Sequence, residues 1–313
     1  MVFLRGLVLA AVLGSMACHR APSAACTPAQ FGLAESVKGR ATIERAITKA
    51  NAVLGEGSGF VFSPGWQDRP SKTKKLAVYI VDAGAVAATD AAFAPGNAEC
   101  VFINSDINDR MGQMFGQGAE GTFEIDPTDA TALILLHEAG HFRYGDAGDF
   151  APSAPLQLDT LVEDLNNDKS KELRADRYAG ELIRAAEADP PPRITTALDL
   201  SLCLTHISWN LLHGRLIGNF GATTLSSPKV FRDNGDSHPN LELRFLVLQY
   251  SVTRQEIALA NVREFLGHRR EATEGGGILY GGSGLQTGGT YHLLDDDSKK
   301  VNTPPKSEHS KSH

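Results

Sequence analysis

His137-Glu138-Ala139-Gly140-His141 is the stretch on which the reading of this chain turns. Two histidines at i and i+4 of a helix stand on one face, where neutral imidazoles can chelate a single zinc ion. The glutamate between them then lies beside the metal, placed to take a proton from water. So short a motif needs its context. Upstream, Asp126-Pro127-Thr128-Asp129 reads as an N-cap, a proline in the first helical position and an acidic first turn. Ala130 to Leu136 supplies an apolar body. A solvated His-Glu-His on a surface helix fits that apolar run poorly, whereas a buried metal-holding helix fits it well.

The remainder of the composition is ordinary. The chain has 313 residues, 42% hydrophobic and 21% charged, enough for one large domain or two small ones. A net charge of -7 and the lack of a Lys/Arg-rich stripe argue against a nucleic-acid partner. No internal run is apolar for long enough to cross a bilayer. Residues 1–17 carry Arg5, an apolar run from Gly6 to Leu13 and then Gly14-Ser15-Met16-Ala17, the pattern of a secretory signal peptide. Cys18 follows at once, and here the segment resembles a bacterial lipoprotein signal, in which that cysteine is lipidated. It departs from the pattern at Ser15, where an aliphatic residue is usual, so simple secretion stands as the alternative. Residues 18–33, rich in Ala, Pro, Ser and Thr, read as a tether. Cys26, Cys100 and Cys203 would leave one thiol unpaired if Cys18 carries lipid, and spacing does not say which pair forms.

Periodicity places an amphipathic helix over about 35–54, strands at Phe60–Phe62, Leu76–Val81 and Cys100–Asn104, and an aperiodic loop over 106–121. After the HExxH helix come a Gly/Asp/Pro loop to Pro155, a helix over 170–188 stopped by Pro190-Pro191-Pro192, and a long helix over 194–217. Ser237-His238-Pro239 opens a fourth helix and 253–267 makes a fifth. Residues 273–313 turn Gly-rich and then polar, the composition of a disordered tail. His206 and His213 lie seven apart on the long helix and read as ordinary packed or surface histidines, with Trp209 and Leu211 as core. His309 and His313 sit in the tail. The glycine pairs of 275–289 lack the context of a phosphate-binding loop.

A catalytic zinc needs a third protein ligand. The metzincin continuation fails at Tyr144 and Ala147. A glutamate about twenty residues on also fails, at Thr160 and Leu161, with Glu163 out of register. The better candidate is Glu172 in Lys171-Glu172-Leu173-Arg174-Ala175-Asp176-Arg177, where Glu172 and Asp176 share a helix face. These residues resemble the HtpX-like and CAAX-prenyl-protease-like zinc metallopeptidases, whose second site helix carries ExxxD, often ExxAD. Ser237-His238-Pro239-Asn240-Leu241-Glu242-Leu243-Arg244 resembles the HPxxxxR element of the same family. Further upstream, Val78 to Asp82, Ala92-Phe93-Ala94-Pro95-Gly96 and Val101 to Asn104 resemble its strand, turn and edge strand. The chain departs at Ala91, where the family has asparagine; the substrate contact is then missing or is supplied by Asp90. The likeness runs from Leu76 to Arg244 and lacks the family's membrane spans.

The resemblance implies an α+β, zincin-like metallopeptidase domain over residues 34–272, mostly helical with a small sheet beside the HExxH helix. It implies one zinc per chain on His137, His141 and Glu172, with Glu138 as general base and His238 stabilising the oxyanion. Asp176 would hold a ligand histidine and pair with Arg244. Phe102, Ile103 and Asn104 would bind an extended peptide through an exposed strand edge. The expected activity is hydrolysis of peptide bonds in exported or envelope proteins, with the membrane reached only through lipid at Cys18. The rival reading is a non-catalytic zinc lipoprotein that binds protein segments in the same groove, for which Glu138 would be dispensable.

Overall fold

The computed structural model describes residues 26–67, 73–82, 92–94, 99–118, 120–144, 167–217 and 238–276. Helix α1 (Arg40–Leu54) leads into strands β1 (Phe60–Pro64), β2 (Lys74–Val81), β3 (Ala92–Phe93) and β4 (Cys100–Asn104). Then follow helices α2 (Ile107–Met114), α3 (Pro127–Tyr144), α4 (Asn167–Ala186), α5 (Arg193–Ile217), α6 (Leu241–Thr253) and α7 (Glu256–Gly276). The fold is mostly helical with one small sheet, in the order β1-β2-β4-β3; β1, β2 and β4 are parallel and β3 runs antiparallel to β4.

The sheet is covered on both faces, so its strands are nearly continuous apolar runs. Leu76, Val78, Ile80, Val101 and Ile103 point into the main core with α1 and α3, while Tyr79, Val81, Cys100 and Phe102 form a separate cluster on the other face. The chain before α1 covers that second face. A short 3-10 turn, Pro28–Phe31, sets Phe31 edge-on against Phe102 at 5.3 Å between centroids. Leu33 joins the cluster, and Glu35 bridges Val81. Cys26 is disulfide-bonded to Cys100 at the start of β4, and Cys203 is a free, buried thiol. Residues 26–33 are therefore a packed strap and not the loose tether their composition suggests. Residues 1–25, with Cys18, lie outside the described residues, as do the loop over 145–166 and the tail from 277.

Two more expectations are corrected. Residues 107–114, within the stretch 106–121 whose Gly, Met and Gln show no clear period, form α2; Ile107, Met111 and Phe115, spaced by four, are buried along it. Cys100–Asn104 is an interior strand, hydrogen-bonded to β2 on one side and β3 on the other, so the edge on this side of the described sheet is Ala92–Phe93. The opposite edge, β1, is closed by Asn51: its side chain accepts from the Phe62 N–H and donates to the Phe62 carbonyl, both at 2.8 Å, as a neighbouring strand would.

Helix α3 runs through the middle of the molecule and is buried from Thr128 to Gly140 except at Ile134. Asp126 caps it as its sequence requires, its Oδ1 accepting from the N–H groups of Thr128 at 2.7 Å and Asp129 at 3.2 Å. Lys49 of α1 ties it laterally, reaching Asp129 at 2.5 Å and Asp199 of α5 at 3.0 Å. The triple proline ends α4 and starts α5, whose first residue, Arg193, donates to the last carbonyls of α1 at Ala52 and Val53. A cation there complements the negative helix end.

Candidate metal centre

Helix α4 packs against both α3 and α6, and polar side chains of all three helices meet there. The crossing of α3 and α4 is close because it is lined by the two smallest residues of their motifs. A Cβ built on Gly140 would lie 2.6 Å from Ala175 Cα. Gly140 sits between His137 and His141 on α3, and Ala175 between Glu172 and Asp176 on α4, so the contact that fixes the helix spacing also brings the four polar side chains together. One turn further along α4, a Cβ on Gly180 would come within 2.5 Å of Ser251 Cβ, which holds α6 equally close.

His137, His141 and Glu172 each offer a ligand atom, and all of these lie within 4.8 Å of one another. The two Nε2 atoms are 3.0 Å apart; Glu172 Oε2 is 3.3 Å from His137 Nε2, and Oε1 is 3.4 Å from His141 Nε2. Donors held about 2.0–2.1 Å from a tetrahedral ion are separated by about 3.3–3.4 Å. The spacing and chemistry of the three donors fit a metal ion such as zinc. His137 Nδ1 is 2.8 Å from Asp176 Oδ1, so when it carries the ring proton it donates to the carboxylate and Nε2 is left free for a metal. Arg244 of α6 donates from Nε to Asp176 Oδ2 at 3.0 Å and from Nη2 to Oδ1 at 3.1 Å, a two-pronged grip. Its Nη2 also approaches Glu172 Oε2 to 3.4 Å and both ring nitrogens of His137 to 3.1 Å.

His238 precedes α6 and reaches the same place, its Nε2 3.8 Å from Glu172 Oε2 and its side chain about one-third exposed. Its approach is set by Asn240, which caps α6 by accepting from the N–H groups of Glu242 at 2.9 Å and Leu243 at 3.4 Å. Glu138 is 5% exposed beside the ligand histidines.

Burial and charge shape the protonation of this cluster. Burial is the largest influence on Glu138 and pushes its carboxyl up, opposed by the two ligand histidines. For Glu172 and Asp176 burial acts in the same direction, but the Arg244 guanidinium and the histidines outweigh it and hold both carboxyls below their usual range. Burial and Arg244 disfavour a charged His137, yet Asp176 and Glu172 overcome them and raise its pKa to about 9. Without a metal, the raised pKa leaves a proton on His137 that a bound ion must displace.

The structure thus gathers His137, His141, Glu172, Asp176, Arg244 and His238, with Glu138 among them. Phe102, Ile103 and Asn104 are placed differently: all three are buried in β4, and the backbone of Phe102 and Ile103 is already paired on both sides. An edge that receives a peptide must have open N–H and C=O groups; in the described sheet that edge is β3. Ala91 and Asp90 lie outside the described residues. Among the described residues His206 and His213 join no metal-competent cluster: His206 stacks on Phe123 at 4.3 Å and His213 on Trp209 at 6.1 Å. Trp209, expected in the core, is 46% exposed, whereas Leu211 is buried as expected. The spacing roles of Gly140 and Ala175 escaped the sequence reading, although both small residues stand inside the motifs themselves.

No family model matches the chain, and no curated protein or solved structure matches it either.

Proposed function

We propose that this chain is a zinc-dependent endopeptidase with a zincin-like arrangement, exported and acting on proteins outside the cytoplasm. The observation that carries the reading is the donor triad. Three metal-ligating atoms from two helices lie at near-tetrahedral spacing, with a buried glutamate beside two of them and a carboxylate orienting one imidazole. A purely structural site has no need of the buried Glu138 beside its imidazoles.

In this reading His137, His141 and Glu172 hold zinc, which when bound polarises a substrate carbonyl and makes water a nucleophile near neutral pH. Asp176 keeps His137 in the Nδ1–H tautomer, and Arg244 keeps Asp176 ionised and in place. Glu138, whose carboxyl burial has made more basic than usual, takes the proton from the attacking water and delivers it to the departing amine. His238 donates to the carbonyl oxygen as charge develops there. An extended substrate segment lies along the open edge at Ala92–Phe93. The Cys26–Cys100 disulfide favours an oxidising compartment, in keeping with a signal peptide over 1–17 and lipid at Cys18.

The test is a diverse peptide pool incubated with the zinc-loaded protein and with Glu138→Gln, products read by mass spectrometry. Cleavage by the parent protein alone, with equal zinc in both, is the expected result. Equal turnover by Glu138→Gln would overturn the assignment, and zinc in both with cleavage by neither would favour the binding lipoprotein.

A further inference from the structure

Helix α5 packs one side against α1, α3, α4 and α6 and leaves a ridge that the other described residues do not cover. Along that ridge Leu198 and Leu202 are 55% and 57% exposed; Trp209, Thr195 and Thr205 are exposed too, and Leu212 is half-buried. These six positions step by three, four, three, four and three residues. Such steps mark one continuous face of the helix. Charge is almost absent: from Thr195 to His213 the only charged residue is Asp199, already 3.0 Å from Lys49. A chain of net charge -7 repels its own copies over much of its surface, but not here.

The exposed rings beside the ridge are held in place. Trp209 Nε1 donates to the Gly121 carbonyl at 2.9 Å. The Asn210 side chain accepts from the Phe123 N–H at 2.7 Å and donates to its carbonyl at 2.8 Å, fixing a phenylalanine that is 45% exposed. Rings ordered in advance lose little freedom when a partner arrives.

We propose that α5 is a self-association surface on which a second copy of this chain lays its own α5 antiparallel, about a two-fold axis between Leu202 and Thr205. That register stacks Thr195 on Leu212, Leu198 on Trp209 and Leu202 on Thr205 of the second copy, setting small against large in the first and last layers. It also places Asp199 across from His206 of the second copy, an acid facing a base. Leu198, Leu202, Trp209 and Phe123 each expose roughly 100 Å². With the flanking threonines, Leu212 and the histidines the patch reaches roughly the low end of the 800 Å² per partner of a specific interface. A membrane surface fits less well, because the ridge offers no lysine or arginine to anionic headgroups. The inference is independent of the metal-centre reading.

The test is sedimentation velocity of the chain from residue 18 onward carrying Cys18→Ser, from micromolar to submillimolar concentration. The expected result is a mass rising from one chain toward two, while Leu202→Glu stays monomeric with unchanged circular dichroism and melting. Mixing Leu202→Cys with Thr205→Cys should give a disulfide-linked pair, and mixing Thr195→Cys with Thr205→Cys should not. A parent chain monomeric throughout, a dimer that survives Leu202→Glu, or partition onto vesicles in place of self-association would each overturn the proposal.

Discussion

Asp176 does two things for one imidazole: its Oδ1 faces His137 Nδ1 and both its oxygens are gripped by Arg244. Replacing it with asparagine keeps the shape but removes the charge that fixes the tautomer. Asp176→Asn should therefore bind zinc about 10–100-fold more weakly, measured by competition with a chromophoric chelator. Unchanged affinity would mean that the contact does not orient the ligand. A second residue-scale expectation concerns Cys203. Burial pushes its thiol up to about 12, so it stays protonated at any ordinary pH. Iodoacetamide at mildly alkaline pH should leave Cys203 unmodified in the native protein and label it after unfolding, read by intact mass.

At the scale of elements, the closeness of α3 and α4 is the feature on which the metal centre depends. A side chain at Gly140 would collide with the backbone of Ala175, so Gly140→Val should destabilise the fold by about 1–3 kcal/mol and weaken zinc binding in the same protein. Thermal melting with zinc titration checks this; a variant that loses stability but keeps full affinity would separate packing from the site. Much of α3 and α4 was legible in sequence because the information is local. Asp126 caps, the apolar run buries, and the i, i+4 spacings of His137/His141 and Glu172/Asp176 bring side chains onto one face whatever surrounds them. The strand edge was not legible, because whether Cys100–Asn104 lies inside or outside the sheet depends on the pairing of the two-residue strand Ala92–Phe93. Trp209 misled for a similar reason. An aromatic residue in an apolar helix reads as core unless it is known which side of that helix the neighbours cover.

At the scale of the whole molecule, the strap and its disulfide show how the second face of the sheet is closed without a helix layer. Cys26 and Cys100 are 74 residues apart in sequence, so the bond restrains a large part of the unfolded chain. Cys26→Ser should lower stability by about 2–4 kcal/mol in denaturant unfolding. The candidate metal site, whose residues lie on or beside α3, α4 and α6 and not on the strap, should bind zinc equally in that variant under native conditions. Neither the pairing nor the strap could be read from residues 18–33, whose composition is that of a linker; only the contacts of Phe31, Leu33 and Glu35 with the sheet distinguish it.

The central claim is that His137, His141 and Glu172 together hold one zinc ion. The most direct measurement is metal content by mass spectrometry of the protein purified without added metal and then equilibrated with limiting zinc. One equivalent per chain, retained in Glu138→Gln and lost in Glu172→Ala while the fold persists, is the predicted result. No stoichiometric metal in the parent protein, or a full equivalent remaining in Glu172→Ala, would contradict it.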